Sequence, residues 1–151
     1  MNIGLISDTH GLLRPEAVEA LRGCELIVHA GDIGAPEVLD GLRALAPVVA
    51  VRGNNDGDAW AQAVPETRTF AAGPLRLHLL HDLKLLDLDP RAAQIAAVVS
   101  GHSHRPRIYV RDGVSYINPG SAGPRRFSLP VSLALAEIDG GAIRARIVEL
   151  L

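Results

Sequence analysis

The sequence predicts an α/β fold in which two mixed sheets pack face to face with helices flanking them, in four αββα layers. Three observations predict it. Residues 2–52 run strand, helix, strand, helix, strand, an order that builds a largely parallel sheet with helices against it. From residue 67 onward, strand-like runs follow one another between Gly-Pro, Asp-Gly and Gly-Gly turns, which calls for a second sheet. At 151 residues and 48% apolar, the chain has material for one real core and reads as a single domain over 1–151.

Taken in order, NIGLIS (2–7) has the unbroken apolar character of a buried strand. The following "DTHGLLRPEAVEALRG" leads into a helix with Pro15 in its first turn and Gly23 at its stop. ELIVHA (25–30) is a second buried strand. A helix is expected from Pro36 to about Leu45, and PVVAVR (47–52) is the third strand. In the second half the strand candidates are TRTFAA, PLRLHLLH, AAVVSG, RIYV, VSYIN, VSLALAEI and AIRARIVEL. Asp112-Gly113 and Gly140-Gly141 are expected hairpin tips. One short helix is expected around Asp89 to Ile95. In the last strand, Ala142, Arg144 and Ala145 do not sort into two faces as Val148 to Leu150 do.

Composition narrows the function classes. A formal charge of −2 gives no global attraction to nucleic acid or anionic membrane. Of the fifteen basic residues only Lys84 is a lysine. The single cysteine, Cys24, rules out an internal disulfide framework and reads as a partly buried, inert thiol. No basic leader with a long apolar segment opens the chain, and no run is long enough to cross a bilayer, so a soluble cytoplasmic protein without a membrane partner is expected.

Six blocks carry metal-binding residue types to expected strand ends or loops. They are Asp8-Thr9-His10, Gly31-Asp32, Gly53-Asn54-Asn55-Asp56, His81-Asp82, Gly101-His102-Ser103-His104 and Asn118-Pro119-Gly120-Ser121. Strand ends of an α/β sheet are where ligand crevices form. In extended chain, residues i and i+2 point to one side, so Asp8 with His10, and His102 with His104, are each expected to aim at one place. Taken singly, each block is explained by helix capping or turn chemistry. Their conjunction is not. His29 and His78 lie inside strand runs and are read as structural or supporting histidines. No nucleophile motif surrounds Cys24, and no Gly-rich nucleotide loop is present.

The ordered series "SDTHG", "HAGDI", "RGNND", "LLHDL", "SGHSH" and "INPGS" resembles the calcineurin-like metallophosphoesterases, in particular their small bacterial and archaeal phosphodiesterase branch. The resemblance implies that the sandwich is the metallophosphoesterase fold, and it implies a site. Asp8, His10, Asp32 and His104 would hold one divalent ion, and Asp32, Asn54, His81 and His102 the other, with Asp32 bridging. Mixed N/O ligation without thiolate suits Mn²⁺, Fe²⁺, Zn²⁺ or Ni²⁺; Mn²⁺ is the first expectation. Two such ions, ~3.5–4 Å apart in two-metal enzymes, clamp a phosphoryl group and lower the pKa of a shared water, whose hydroxide attacks phosphorus. Asp32, Asn54, Asn55 and His102 are the residues expected to take part in that chemistry.

The sequence departs from the family pattern twice. Asn55 stands where many relatives have a histidine that protonates the leaving oxygen, so diesters with good leaving groups should be favoured. Asp82 stands where many have glycine, as a supporting partner or a turn residue. Asp56 is expected to orient a neighbouring His or Asn. Arg105, Arg107, Arg125 and Arg126 lie near the last two blocks, and the loops around Trp60 and Arg125 are expected to shape the pocket. The expected partner is a small phosphodiester, with nucleic acid only as a substrate, and a homo-oligomer is in keeping with small relatives. A second reading is a catalytically weak interaction scaffold of the same fold, like the retromer subunit. A haloacid-dehalogenase-like phosphatase would need Asp where His10 stands.

Overall fold

The computed structural model describes residues 1–151 and contains two five-stranded sheets and two α-helices. In the first half β1 (Asn2–Ile6), β2 (Leu26–His29) and β3 (Val48–Ala50) run parallel, linked by α1 (Pro15–Leu21) and α2 (Pro36–Arg43). The second half supplies β4 (Thr67–Ala72), β5 (Leu75–Leu80), β6 (Ala97–Val99), β7 (Arg107–Arg111) and β8 (Val114–Asn118). The chain then returns to the first sheet as β9 (Ser132–Asp139) and β10 (Ala142–Glu149). The first sheet, β10-β9-β1-β2-β3, is parallel from β1 to its β3 edge and antiparallel on the other side; the second, β4-β5-β6-β8-β7, has a parallel centre and antiparallel flanks.

Apolar alternation sets the layers. One face of each sheet meets the other across Leu5, Val28, Val51, Leu77, Val99, Ile117 and Ala134. The outer face of the first sheet presents Ile6, Ile27 and Leu133 to Ala17 and Leu21 of α1 and to Val38, Leu39 and Leu42 of α2. Each fully buried Leu or Ile here contributes about 1.5–3 kcal/mol through burial. Both helices begin with Pro, and Gly23 follows α1 at φ +84°.

The helix expected between Asp89 and Ile95 is a single turn. The Asp89 carboxylate accepts from the amides of Arg91 and Ala92, and the Ala93 amide reaches the Asp89 carbonyl. Gln94, at φ +59°, ends the turn before a second one starts. Together with the 3-10 turn Leu83–Leu85, this segment forms the layer over the outer face of the second sheet. There Leu83, Leu86, Leu88 and Ala93 cover Leu80, Ile95, Val98 and Val114. Asp112-Gly113, both at positive φ, forms the β7–β8 hairpin tip as expected. Strand β10 pairs with β9 from Ala142↔Asp139 to Glu149↔Ser132. No helix is long and apolar enough to cross a membrane.

The carboxyl ends of the parallel strands carry the polar blocks. Asp8 follows β1, Asp32 follows β2 and Asn54 follows β3; His81 follows β5 and His102 follows β6. The layering turns these two sets of strand ends toward one another.

Candidate metal centre

Asp8 lies at the middle of the cluster, with no solvent exposure. Its Oδ2 accepts from the Ser7 hydroxyl at 2.7 Å and from the His102 amide at 3.1 Å. Its Oδ1 has no hydrogen-bond partner. Around that bare oxygen stand His104 Nε2 at 3.4 Å, His10 Nε2 at 3.8 Å and His81 Nε2 at 3.8 Å. His10 and His104 stack, with their Nε2 atoms 3.4 Å apart.

His81 is oriented from behind. Its Nδ1 lies 2.7 Å from the Ala30 carbonyl oxygen and must donate to it, because a carbonyl only accepts. Its Nε2 is therefore presented to the cluster, buried, without a hydrogen-bond partner and 3.3 Å from Asp32 Oδ2. The same Asp32 oxygen is 3.9 Å from His10 Nε2, so it faces both halves of the cluster. Asn55 holds Asp32 through two bonds, backbone N to Oδ1 at 3.0 Å and Nδ2 to Oδ2 at 3.2 Å.

The ligand atoms of Asp8, His10 and His104 lie within 4.8 Å of one another, and so do those of Asp8, Asp32 and His81. Asn54 and His102 stand apart at the rim. Asn54 Oδ1 is 3.2 Å from His102 Nδ1, and the His102 ring meets His81 edge-on at 5.2 Å. His102 is 46% exposed, whereas His104, two residues on, is 5% exposed. The expectation that this pair aims at one place is thus corrected. Neither segment is extended: Asp8, His10, His102 and His104 all have left-handed backbones, with φ between +47° and +72°. With Asp32 at +54°, five of the chain's eight positive-φ non-glycine residues belong to this cluster. Such backbones cost roughly 1–3 kcal/mol each and persist where the surroundings dictate them, most often at functional sites.

The support comes from residues distant in sequence. Asp56 makes no hydrogen bond to a His or Asn side chain, contrary to expectation; it accepts from the backbone amides of Ile33, Gly34 and Gly53 and so clamps the β2 and β3 loops together. His29 is fully buried. Its Nδ1 accepts from the Gly31 amide, so Nε2 carries the proton toward Thr9 Oγ1, whose hydroxyl passes on to the Ile33 carbonyl. His78 bonds Thr69 on the neighbouring strand and stays out of the cluster. Asn118 braces Gly101 and Ser103, while Ser121 bonds the Asp8 carbonyl. Ser7 and Thr9 escaped the sequence reading, although the "SDTH" block holds both. Asp82 caps the turn at Leu83–Leu85 through Lys84 N and faces His102 at 3.9 Å. Trp60 packs on the helix-covered core. Arg125 and Arg126 are exposed, and Arg126 is near enough to His10 to oppose its protonation.

Electrostatics favour negative carboxylates here. Burial pushes Asp32 up, but His81 and the Asn55 amide outweigh it and hold it at about 2. Asp8 also ends below the ordinary carboxylate value, its burial offset by His104, Ser7 and His81. Burial pushes His10 down, while the two carboxylates draw His81 up despite its burial. A bare buried carboxylate oxygen and a bare buried imidazole nitrogen each cost roughly 1–3 kcal/mol when left unpaired. Divalent cations bound at the cluster satisfy both, and a His/Asp/Asn donor set without thiolate is chemically suited to them. The residues fit a metal.

A metal bound in such a centre, at the facing strand ends of a two-sheet sandwich, would suit hydrolysis of phosphate esters. Residues 1–141 match the calcineurin-like phosphoesterase superfamily domain, and the chain belongs to that superfamily. A protein of Methanothermobacter thermautotrophicus described as a probable metallophosphoesterase is 37% identical, over 99% of this chain and 92% of that one. The fold is similar to that of an archaeal phosphodiesterase (TM-score 0.80, 23% identity, 98% of this chain and 100% of that one). It is also similar to Vps29 of Chaetomium thermophilum (TM-score 0.79, 19% identity, 99% and 96%).

Proposed function

We propose that the protein is a dinuclear metal-dependent phosphodiesterase. The observation that carries this reading is that two of the three buried unpartnered side-chain atoms, Asp8 Oδ1 and His81 Nε2, are turned toward one another across the cluster, the third being His104 Nδ1. In this reading Asp8, His10, Asp32 and His104 hold one ion, and Asp32, Asn54, His81 and His102 the other. When bound, the ions supply Lewis-acid stabilisation of phosphoryl charge and a water acidic enough to act near neutral pH. Mn²⁺ is the first choice, with Ni²⁺, Zn²⁺ and Fe²⁺ as alternatives.

The protein's own part is positioning. Ala30 fixes the His81 tautomer, Ser7 and the His102 amide pin one Asp8 oxygen so that the other is free, and Asn55 holds Asp32. His102 and Asn54, at the exposed rim, are the side chains an arriving ester meets first. The Asn55 amide gives up no proton at useful cost, so the leaving group departs as its anion. Esters of acidic alcohols and phenols are therefore the substrates favoured, and a small phosphodiester is the expected partner. A homo-oligomer is also proposed.

Bis-p-nitrophenyl phosphate and p-nitrophenyl phosphate share a leaving group and separate diester from monoester chemistry. A kcat/KM at least about tenfold higher for the diester supports the reading; preference for the monoester contradicts it. The likeness to Vps29 favours a second reading, a protein-interaction scaffold of the same fold. Retention of Asp8, His10, Asp32, Asn54, His81, His102 and His104 together weighs against it.

A further inference from the structure

Beside the metal centre, over the outer face of the second sheet, lies a cleft of about 430 Å³. That volume is within the ~300–1,000 Å³ range of small-molecule sites. His102 belongs both to the metal centre and to the cleft wall. The wall itself is aromatic and cationic. Tyr109 and Tyr116 are cross-strand partners on β7 and β8, with rings 5.0 Å apart and 6° from parallel. Arg107, two residues earlier on the same face of β7, places its guanidinium 4.3 Å from the Tyr109 ring centroid. Lys84 and Arg105 complete the cations of the lining; its one carboxylate, Asp82, is engaged with the Lys84 amide.

We propose that this cleft binds a nucleotide, and that the substrate of the phosphodiesterase is a nucleotide diester whose leaving group is an acidic alcohol. Stacked tyrosines edged by a guanidinium suit a planar, electron-rich base, which stacks on aromatic and Arg faces alike. Arg105, Arg107 and Lys84 suit the phosphate attached to it. A sugar phosphate or a lipid head group would use the cations and leave the tyrosine pair idle. The position of His102 lets a base in the cleft bring its ester to the metal centre. Calling the nucleotide a substrate rests on the phosphodiesterase reading, whereas its binding does not.

The test is calorimetric titration of the chelator-treated protein with AMP and with ribose 5-phosphate, which differ only in the base. AMP is expected to bind about tenfold tighter, the scale of one base–aromatic stack. In Tyr109→Leu the two ligands should bind alike, and in Arg107→Gln the gap should narrow, with circular dichroism showing both variants folded. Equal affinity for the two ligands in the parent protein, or an undiminished gap in folded Tyr109→Leu, overturns the proposal, as does no binding of either ligand. AMP discrimination that vanishes in Tyr109→Leu, in a protein that hydrolyses no diester, keeps the cleft and overturns the phosphodiesterase reading instead.

Discussion

His81 is held by Ala30: Nδ1 donates to the backbone carbonyl oxygen at 2.7 Å, and Nε2 is left bare against Asp32 at 3.3 Å. The anchor lies 51 residues away in sequence, so the orientation of this side chain exists only in the folded protein. Such anchoring fixes the tautomer that a metal requires.

From that geometry, His81→Asn should keep the bond to Ala30 through its amide and lose the inward nitrogen. Equilibrium dialysis with elemental analysis should then find two ions per chain in the parent and one in the variant, with affinity at the altered half down by about a hundredfold or more. Two ions retained in folded His81→Asn would remove His81 from the ligand set.

Gly101 is pressed against the site. A methyl group there would overlap the Ser7 hydroxyl and lie 2.6 Å from Asp8 Oδ2. Gly101 has no positive φ, so Gly101→Ala acts through this contact alone. It should leave the fold intact by circular dichroism and lower kcat by roughly a hundredfold, the cost of an ångström-scale misplacement. Full activity in the variant would show that the Asp8 carboxylate can shift without consequence.

Asn55 offers a test of the missing proton donor. Asn55→His introduces a group that can protonate the leaving oxygen, a contribution of roughly 10²–10⁴-fold where it operates. The gain should grow as leaving-group pKa rises across a series of aryl phosphodiesters, flattening the dependence of log kcat/KM on that pKa. An unchanged slope would place proton delivery elsewhere.

His29 predicts a pH dependence of stability. Burial pushes its pKa from 6.5 to about 4, so the unfolded chain binds this proton before the folded chain does. The contribution is fully present above the unfolded value and is lost as pH falls from 6.5 toward 4, on the order of 3 kcal/mol across that window. Urea midpoints measured in chelator should therefore fall more steeply between pH 7 and pH 4.5 in the parent than in His29→Gln. Parallel curves would contradict the assignment.

Much of this could be read from the residues, and the remainder follows one pattern. Strands and hairpins were legible because apolar alternation and turn residues are local signals, as in Asp112-Gly113. Asp8, Asp32 and His81 were legible because each polar block interrupts an apolar run where a strand stops. What the sequence concealed is non-local: Ala30 behind His81, Asp56 beneath three amides, and Tyr109 against Tyr116 across a hairpin. The left-handed backbones at Asp8, His10, Asp32, His102 and His104 were also hidden, since local preference disfavours them and only the assembled site imposes them. For the same reason His102 and His104 part company, one to the rim and one to the interior.

The most direct test of the account is hydrolysis of bis-p-nitrophenyl phosphate by chelator-stripped protein, before and after adding Mn²⁺, Ni²⁺ or Zn²⁺, with Asp32→Asn in parallel. Turnover should be absent without metal, restored by at least one ion, and absent in the variant. Folded, metal-loaded protein that stays inactive with every ion, or an Asp32→Asn protein that works as well as the parent, would contradict the phosphodiesterase reading.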